Sequence, residues 1–421
     1  MNEQFENLYS SKGSRLIDRE AIISLQLAEG ELMERAGTAA YDVILRKWPG
    51  ISSLNVICGP GNNGGDGYIL ARLAHQVGID IVVSQILGPK TDDARRAFDQ
   101  LRSQGITVEP LNSETIGEAE LIVDAMLGIG LNRPPSGVFK TAIDAINSSG
   151  SPVLALDVPS GLDIDTGWAD GVVIQAAVTV TFICLKLGLF TGRGPDCTGD
   201  IVVEGLGVPT DVVTSVLPMA KAISTRIVRE RIPPRRRTLH KGEAGHLLII
   251  GGDMSMAGAV QLAGIAALRT GAGLVSIASR RSQIDTISRS QPELMCHPVE
   301  DQLSLETLLA GKTAVVVGPG LGQSDWGFEM LNGVFASGLP GVVDADALNL
   351  LAQGPRRTGK MILTPHPGEA SRLLKSDIDV VQSQRFDSSA KIQSQYDCIC
   401  VLKGAGTLVA TEEGYLWLCQ E

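Results

Sequence analysis

The sequence predicts an α/β protein of two domains, each built on parallel strands. Apolar runs of four to six residues alternate with helix-period segments from end to end. A length of 421 residues exceeds what one typical core serves. The 48 glycines and 44% hydrophobic content suit tight strand-to-helix turns.

In chain order, Leu32, Ala36, Ala39, Val43 and Ile44 recur at helical spacing and predict an amphipathic helix before the first strand. Strands are expected at Leu54–Cys58, Ile81–Ser84, Leu121–Ala125, Val153–Asp157 and Val178–Leu185, with a helix over Asp66–Val77. A second series follows at His246–Ile250, Leu274–Ala278, Ala314–Val317, Gly341–Asp344, Met361–Leu363 and Ile399–Leu402. A hairpin through Thr407–Thr411 and Tyr415–Leu418 closes it. Between the series, Arg226–Lys241 carries two prolines and the basic run Arg235-Arg236-Arg237, which reads as a solvated linker. The domains expected are 1–222 and 223–421.

Composition removes several functions. A formal charge of −11 repels phosphate backbones, and 4% aromatics leave little for stacking bases, so nucleic acid is not an expected partner. Small phosphorylated ligands stay open, because backbone N–H groups bind phosphate whatever the net charge. Seven scattered cysteines without a CxxC pair read as reduced thiols, and the first residues do not form a signal peptide. The apolar stretch from Val172 to Phe190 is broken by Gln175 and Lys186 and reads as strands. The expectation is a cytoplasmic protein that engages no membrane.

Three unusual loops fall at carboxyl ends of strands in the first series, where open α/β sheets bind ligands. They are Gly59–Gly67, Asp124–Leu131 and Asp157–Asp163. Gly59, Gly61 and Gly64 satisfy GxGxxG, but the second strand ends in Ser84-Gln85-Ile86-Leu87 without the acid that a dinucleotide dehydrogenase needs. A phosphate-binding Walker loop at Gly311-Lys312-Thr313 fails because Glu306 stands where glycine is required. Asn63, Asp124 and Ser160 sit at the loop tips, and one carboxylate with neutral oxygens suits a hard, weakly held cation rather than zinc. Asp157, beside Ser160, is a candidate general base.

The runs GPGNNGGDG, IVDAMLGIGL, ALDVPSGLDIDTG and TVTFICLKLGL resemble the YjeF N-terminal family, the NAD(P)H-hydrate epimerases, over about residues 15 to 207. The resemblance implies a Rossmann-like three-layer αβα domain that interconverts the R and S hydrates of NADH or NADPH. By it, Asn62, Asn63, Gly64, Gly65 and Asp66 bind the hydrated cofactor. Gly128, Ile129, Gly130, Leu131, Asn132, Arg133 and Pro134 cover it, and Asp157 is the acid–base or substrate contact. A potassium ion would rest on Asn63, Asp124 and Ser160.

The second series also places its odd residues at strand ends: Gly251-Gly252-Asp253, Gly318–Gly322, Asp344-Ala345-Asp346, Thr364–Glu369 and Lys403–Thr407. Lys403 with its Gly-Ala-Gly-Thr turn offers a cation and N–H groups to nucleotide phosphates. With HKGEAGHLLIIGG, AGAVQLAGIAALRTGAGLV and QPELM, these motifs resemble the ADP/ATP-dependent NAD(P)H-hydrate dehydratases of the ribokinase-like fold. The resemblance implies that Ala259, Gly322 and His366 contact the hydrate. It assigns ADP or ATP, with Mg2+, to Lys403, Gly404, Ala405, Gly406 and Thr407, and implies a homo-oligomer. The family pattern continues with a GGxGD turn and further helices, whereas this sequence stops at Glu421. The expectation is an incomplete ribokinase-like domain with an exposed apolar face and no nucleotide-dependent dehydration. A ribokinase-like small-molecule kinase and a non-catalytic nucleotide-binding protein are the competing readings.

Overall fold

The computed structural model describes residues 6–112, 116–131 and 133–420. The chain divides into two compact units, Met1–Ala222 with Gln420–Glu421, and Ile223–Cys419.

The first unit begins with β1 (Asn7–Tyr9), α1 (Ser11–Ser24) and α2 (Glu31–Lys47). The order then runs β2 (Ser53–Cys58), α3 (Asn62–Gln76), β3 (Asp80–Gln85), α4 (Asp92–Ser103), β4 (Val108–Pro110) and β5 (Leu121–Ala125). After α5 (Val138–Ser148) come β6 (Val153–Leu156), β7 (Val178–Phe182), β8 (Leu185–Lys186), α6 (Gly194–Cys197), β9 (Asp200–Glu204), α7 (Thr210–Ser215) and β10 (Ala220–Ala222). Seven strands form a parallel sheet in the order β4-β3-β2-β5-β6-β7-β9. β1 pairs separately with β8 and β10.

Local chemistry fixes the helices. Ser10 caps α1 by accepting from the Gly13 N–H, and Thr91 caps α4 through Ala94. Met33, Ala36, Ala40, Val43 and Ile44 form the buried stripe of α2. All five residues of β5 are buried, as a central strand covered on both faces requires. The chain leaves β2 toward β3 and β4 on one side and resumes at β5 on the other, so the carboxyl ends of β2 and β5 flank the topological switch point.

Two departures from the expected boundaries bear on the cavity at the switch point, the others being shifts of one residue at element ends. Helix α3 starts at Asn62, not Asp66, so the glycine-rich run is its first turn rather than a loop. The strand expected over Val178–Leu185 breaks after Phe182, where Ile183 takes φ +64°.

The second unit contains α8 (Thr225–Arg231), β11 (His246–Ile250), α9 (Ala257–Thr270), β12 (Leu274–Ser279), α10 (Arg281–Ser290) and β13 (Met295–Pro298). It continues with α11 (Gln302–Leu309), β14 (Ala314–Val317), α12 (Asp325–Ser337), β15 (Gly341–Val343), α13 (Asp346–Gln353) and β16 (Met361–Leu363). Last come α14 (Pro367–Leu374), α15 (Ile378–Ser383), α16 (Arg385–Tyr396), β17 (Ile399–Leu402), β18 (Thr407–Ala410) and β19 (Leu416–Cys419). Strands β13-β12-β11-β14-β15-β16-β17 run parallel, and β18 and β19 extend the sheet as an antiparallel hairpin. The segment read as a linker opens with α8, capped by Ser224, before the exposed arginines 235 to 237. Helix α9 is apolar, yet only Ala257, Val260 and Gly264 of it are buried, and Leu262 is 71% exposed.

Candidate functional site

In the first unit a cavity of about 600 Å³ opens at the switch point. The start of α3, the loop Met126–Leu131 after β5, and Asp157 after β6 all line it. Phe182, Ile183 and Lys186 add the end of β7 and the strand beyond, and α1 supplies Ser14, Arg15, Asp18 and Ile22. The Arg15 guanidinium donates to the Ile129 carbonyl at 3.1 Å, tying α1 to the β5 loop.

The glycines bring these backbones together. A Cβ on Gly59 would lie 1.7 Å from the Met126 carbonyl oxygen, and one on Gly64 2.0 Å from the Gly59 oxygen. Only residues without Cβ let β2, the β5 loop and the first turn of α3 meet backbone to backbone. The reward is placement of the α3 N-terminus on the cavity. Gly61 precedes the helix without a side-chain cap, so the first-turn N–H groups at Asn62 and Asn63 are aimed where a ligand anion would sit.

Asp157 leaves β6 in the left-handed region, φ +63°, with Val158 N–H bonded to the Leu156 carbonyl at 2.8 Å. Ile183 ends β7 in the same way, with φ +64° and Cys184 N–H on the Phe182 carbonyl at 2.7 Å. These strained three-residue turns stand side by side on paired strands. Beyond the second, Lys186 reaches Asp157 Oδ1 at 2.6 Å and also donates to Thr181 Oγ1 at 2.8 Å and the Phe182 carbonyl at 2.7 Å. Burial alone would lower the Lys186 pKa, but the negative groups around it, Asp157 foremost with Cys184 and Asp18, together outweigh it and the net shift is upward.

Two more acids share the cavity. Burial raises the Asp18 carboxyl to about 6, with Lys186 opposing and Asp157 reinforcing the shift. Burial pushes Asp66 well above the carboxylate range, helped by Asp157 and Asp18.

Beneath the cavity, Asp124 is fully buried. Its Oδ1 accepts from Ser160 Oγ at 2.6 Å and its Oδ2 from the Ser160 N–H at 2.8 Å. Burial raises its pKa to about 6 despite these bonds. The Asn63 amide is buried with neither Oδ1 nor Nδ2 hydrogen-bonded among the described residues. An orphaned amide oxygen, a hydroxyl and a carboxylate that gains from positive charge suit a hard monovalent cation.

The predicted site residues divide cleanly. Asn62, Asn63, Asp66, Gly128, Ile129, Gly130, Leu131 and Asp157 line the cavity, while Gly64 and Gly65 lie buried behind its wall. Arg133 and Pro134 are exposed and do not line it. Asn132 lies outside the described residues. Lys186 and Asp18 were missed. A lone charge inside an apolar run was the available signal for Lys186, because a lysine buried there demands an acid.

In the second unit the predicted residues occupy the carboxyl ends of β11, β14, β15, β16 and β17. Ala259 packs on Gly320, and the Gly322 N–H donates to Asp346 Oδ2 at 3.0 Å. His366 caps α14: its Nδ1 accepts from the Gly368 N–H at 3.0 Å, and Glu369 Oε2 accepts from the His366 N–H at 2.8 Å. Half of the imidazole stays exposed, with Nε2 3.4 Å from Glu369 Oε1. Lys403 is engaged rather than free, 2.8 Å from Asp344 Oδ1. Arg385, also missed, lies buried behind the Lys403–Thr407 turn and donates to the carbonyls of Leu402, Lys403 and Gly406 at 3.3 to 3.4 Å.

Two known families match successive parts of the chain. Residues 29–188 match the YjeF-related protein N-terminus family, and residues 247–421 match the NAD(P)H-hydrate dehydratase family. The bifunctional NAD(P)H-hydrate repair enzyme Nnr of Coxiella burnetii is 42% identical over 418 residues, covering 98% of this chain and 85% of that protein. The Escherichia coli enzyme of the same name is 41% identical, over 93% of this chain and 76% of its own. Among solved structures, an ADP/ATP-dependent NAD(P)H-hydrate dehydratase from Bacillus subtilis, co-crystallised with ATP/Mg2+, shares 30% identity at a TM-score of 0.42, over 47% of this chain and 71% of its own. With both domain families matched in order and relatives above 40% identity along nearly the whole chain, the protein belongs to the bifunctional NAD(P)H-hydrate repair enzymes.

Proposed function

We propose that the first unit interconverts the R and S forms of hydrated NADH and NADPH, and that the second takes part in ADP- or ATP-dependent return of the S form to the reduced cofactor. The observation that carries the first assignment is the Asp157–Lys186 pair in a cavity edged by the α3 N-terminus. The names and domain families of the relatives support both assignments.

The chemistry follows from the hydrate. Water adds to an enamine with its oxygen on the carbon that bears nitrogen, so the stereocentre is a hemiaminal. Proton transfer to the hydroxyl lets it leave as water while the ring nitrogen lone pair forms a planar iminium. Water returning to the opposite face, with loss of a proton, gives the other epimer. Asp157, ion-paired with Lys186, accepts that proton, and its negative charge favours the cationic iminium. First-turn N–H groups of α3 hold the ligand phosphates. Asn63, Asp124 and Ser160 would hold potassium, which supplies positive charge beneath the ligand loops.

In the second unit, Gly322 and His366 would meet the hydrate, and the Lys403–Thr407 turn the adenine nucleotide with its Mg2+. Five of the seven thiols are buried and all are free, which fits a cytoplasmic setting. Among the described residues no helix is long and apolar enough to cross a membrane.

The test is chromatographic. Purified R and S hydrates, each incubated with the full chain and with Asp157→Asn, should interconvert faster than the uncatalysed rate only with the parent. Equal rates for the two proteins would refute the assignment to Asp157. ADP- and ATP-dependent recovery of NADPH from its S hydrate tests the second unit.

A further inference from the structure

Removing a hydroxyl from one face of a ring and returning water to the other takes two acid–base groups. One protonates the leaving oxygen, and the second accepts a proton from the incoming water. In the reverse direction they exchange roles. Asp157, ion-paired to Lys186, supplies the accepting group. Its counterpart must line the same cavity, come from another element, and be able to carry a proton.

Three other acids line the cavity, Asp18, Asp66 and Asp93. Asp93 is committed to an ion pair with Arg96 at 2.7 Å. Asp66 is 8% exposed in the first turns of α3, and burial, reinforced by Asp157 and Asp18, pushes its pKa well above the carboxylate range, which suits a fixed donor rather than a group that cycles. Asp18 remains. It shares one face of α1 with Ser14 and Ile22 at four-residue spacing, and all three line the cavity. Ser14 Oγ lies 3.6 Å from Cys184 Sγ, which fixes that face against the chain leading to Lys186. Among the described residues no hydrogen bond engages the Asp18 carboxyl. Arg15, its helical neighbour, is spent on the Ile129 carbonyl.

We propose that Asp18 is the second acid–base residue of the epimerisation, giving its proton to the departing hydroxyl while Asp157 takes one from the incoming water. The C–O bond breaks with its electrons on oxygen, the Asp18 proton completes a water molecule, and the nitrogen lone pair closes the iminium. Addition of water on the opposite face then transfers one proton to Asp157. The inference rests on the epimerase reading above. Titration near 6 matches the acid to a near-neutral reaction. The charges facing Asp18 are Arg15 on its own helix, Asp66 on α3, Asp157 after β6, and Cys184 and Lys186 beyond β7.

The active form carries one proton on the Asp18–Asp157 pair in either direction, so kcat/KM falls as pH rises through about 6 whichever epimer is supplied. The experiment measures kcat, KM and the pH profile of R-to-S exchange, less the uncatalysed rate. It uses the full chain, Asp18→Asn, Asp18→Glu and Asp157→Asn. Asp18→Asn should lose ~10²–10⁴ in kcat with little change in KM, and should lose the alkaline limb. Asp18→Glu should recover part of the rate and show a displaced limb. If Asp18→Asn keeps the parental rate, or loses rate but retains the limb, the proposal is overturned while the epimerase reading stands. If Asp18→Asn does not fold, Asp18→Glu decides, and an unmoved limb overturns the proposal. Absence of exchange by the parent chain would overturn the epimerase reading itself, and this inference with it.

Discussion

The Lys186 ammonium is 2% exposed and lies 2.6 Å from Asp157 Oδ1, which makes the lysine and the acid conditional on each other. Lys186→Met should destabilise the first unit by about 3–5 kcal/mol, because it leaves the carboxylate without its buried counter-ion. The double variant Lys186→Met with Asp157→Asn should recover most of that loss. Urea unfolding of the three proteins checks this, and additive losses in the double variant would deny the coupling.

Asp18 sets a pH dependence of stability. Its folded pKa is raised to about 6, so the folded state binds more protons than the unfolded chain from about pH 4 to 6. Stability due to this group therefore falls as pH rises through that window and is flat above it. Asp18→Asn should be more stable than the parent above pH 6, by up to about 3 kcal/mol, and equal to it below the unfolded pKa. Thermal midpoints across the range are the measurement, and a gap of the opposite sign would contradict the desolvation argument.

Potassium should act through Asp124. Asp124→Ala removes the formal negative charge among the three proposed ligands and should weaken cation and substrate binding together. Exchange rates of the parent in potassium chloride and in tetramethylammonium chloride should differ, and those of the variant should not. Equal parental rates in the two salts would remove the ion from the site.

Arg385 should govern the nucleotide turn from behind. Arg385→Met strands the carbonyls of Leu402, Lys403 and Gly406, at ~1–3 kcal/mol for each buried group left unsatisfied. Titration of the full chain with ADP should show weakened binding, with R-to-S exchange unchanged. Unaltered ADP affinity would show that the turn holds its shape without the guanidinium.

Much of this was legible in the sequence, for identifiable reasons. Central parallel strands are apolar on both faces, so runs such as Leu121–Ala125 announce themselves, and glycine and proline punctuate the turns between them. The glycine-rich start of α3 misled because local rules read Gly64 and Gly65 as loop. Gly64 is required by its contact with Gly59, and through it with Met126, and Gly65 by its contacts with Met33 and Ala94, all from distant points in the chain. Asp18 was hidden by its company, since it follows the buried Ile17 on a helix whose other charged residues, Lys12, Arg15, Arg19 and Glu20, are exposed. Arg385 opens a helix, where arginine usually lies on the surface, and only the fold turns it toward the β17 turn.

The left-handed turn at Asp157 governs which replacements there are interpretable. Aspartate and asparagine tolerate that conformation better than other residues with a Cβ. Alanine would add a backbone penalty of ~1–2 kcal/mol to the loss of the carboxylate. A dead Asp157→Ala enzyme would then confound a displaced loop with a missing base. Asparagine keeps the shape and removes the charge, whereas glycine at Ile183 relaxes the neighbouring turn without touching a titrating group. Assayed together, those two variants separate what the paired turns contribute as geometry from what Asp157 contributes as a proton acceptor.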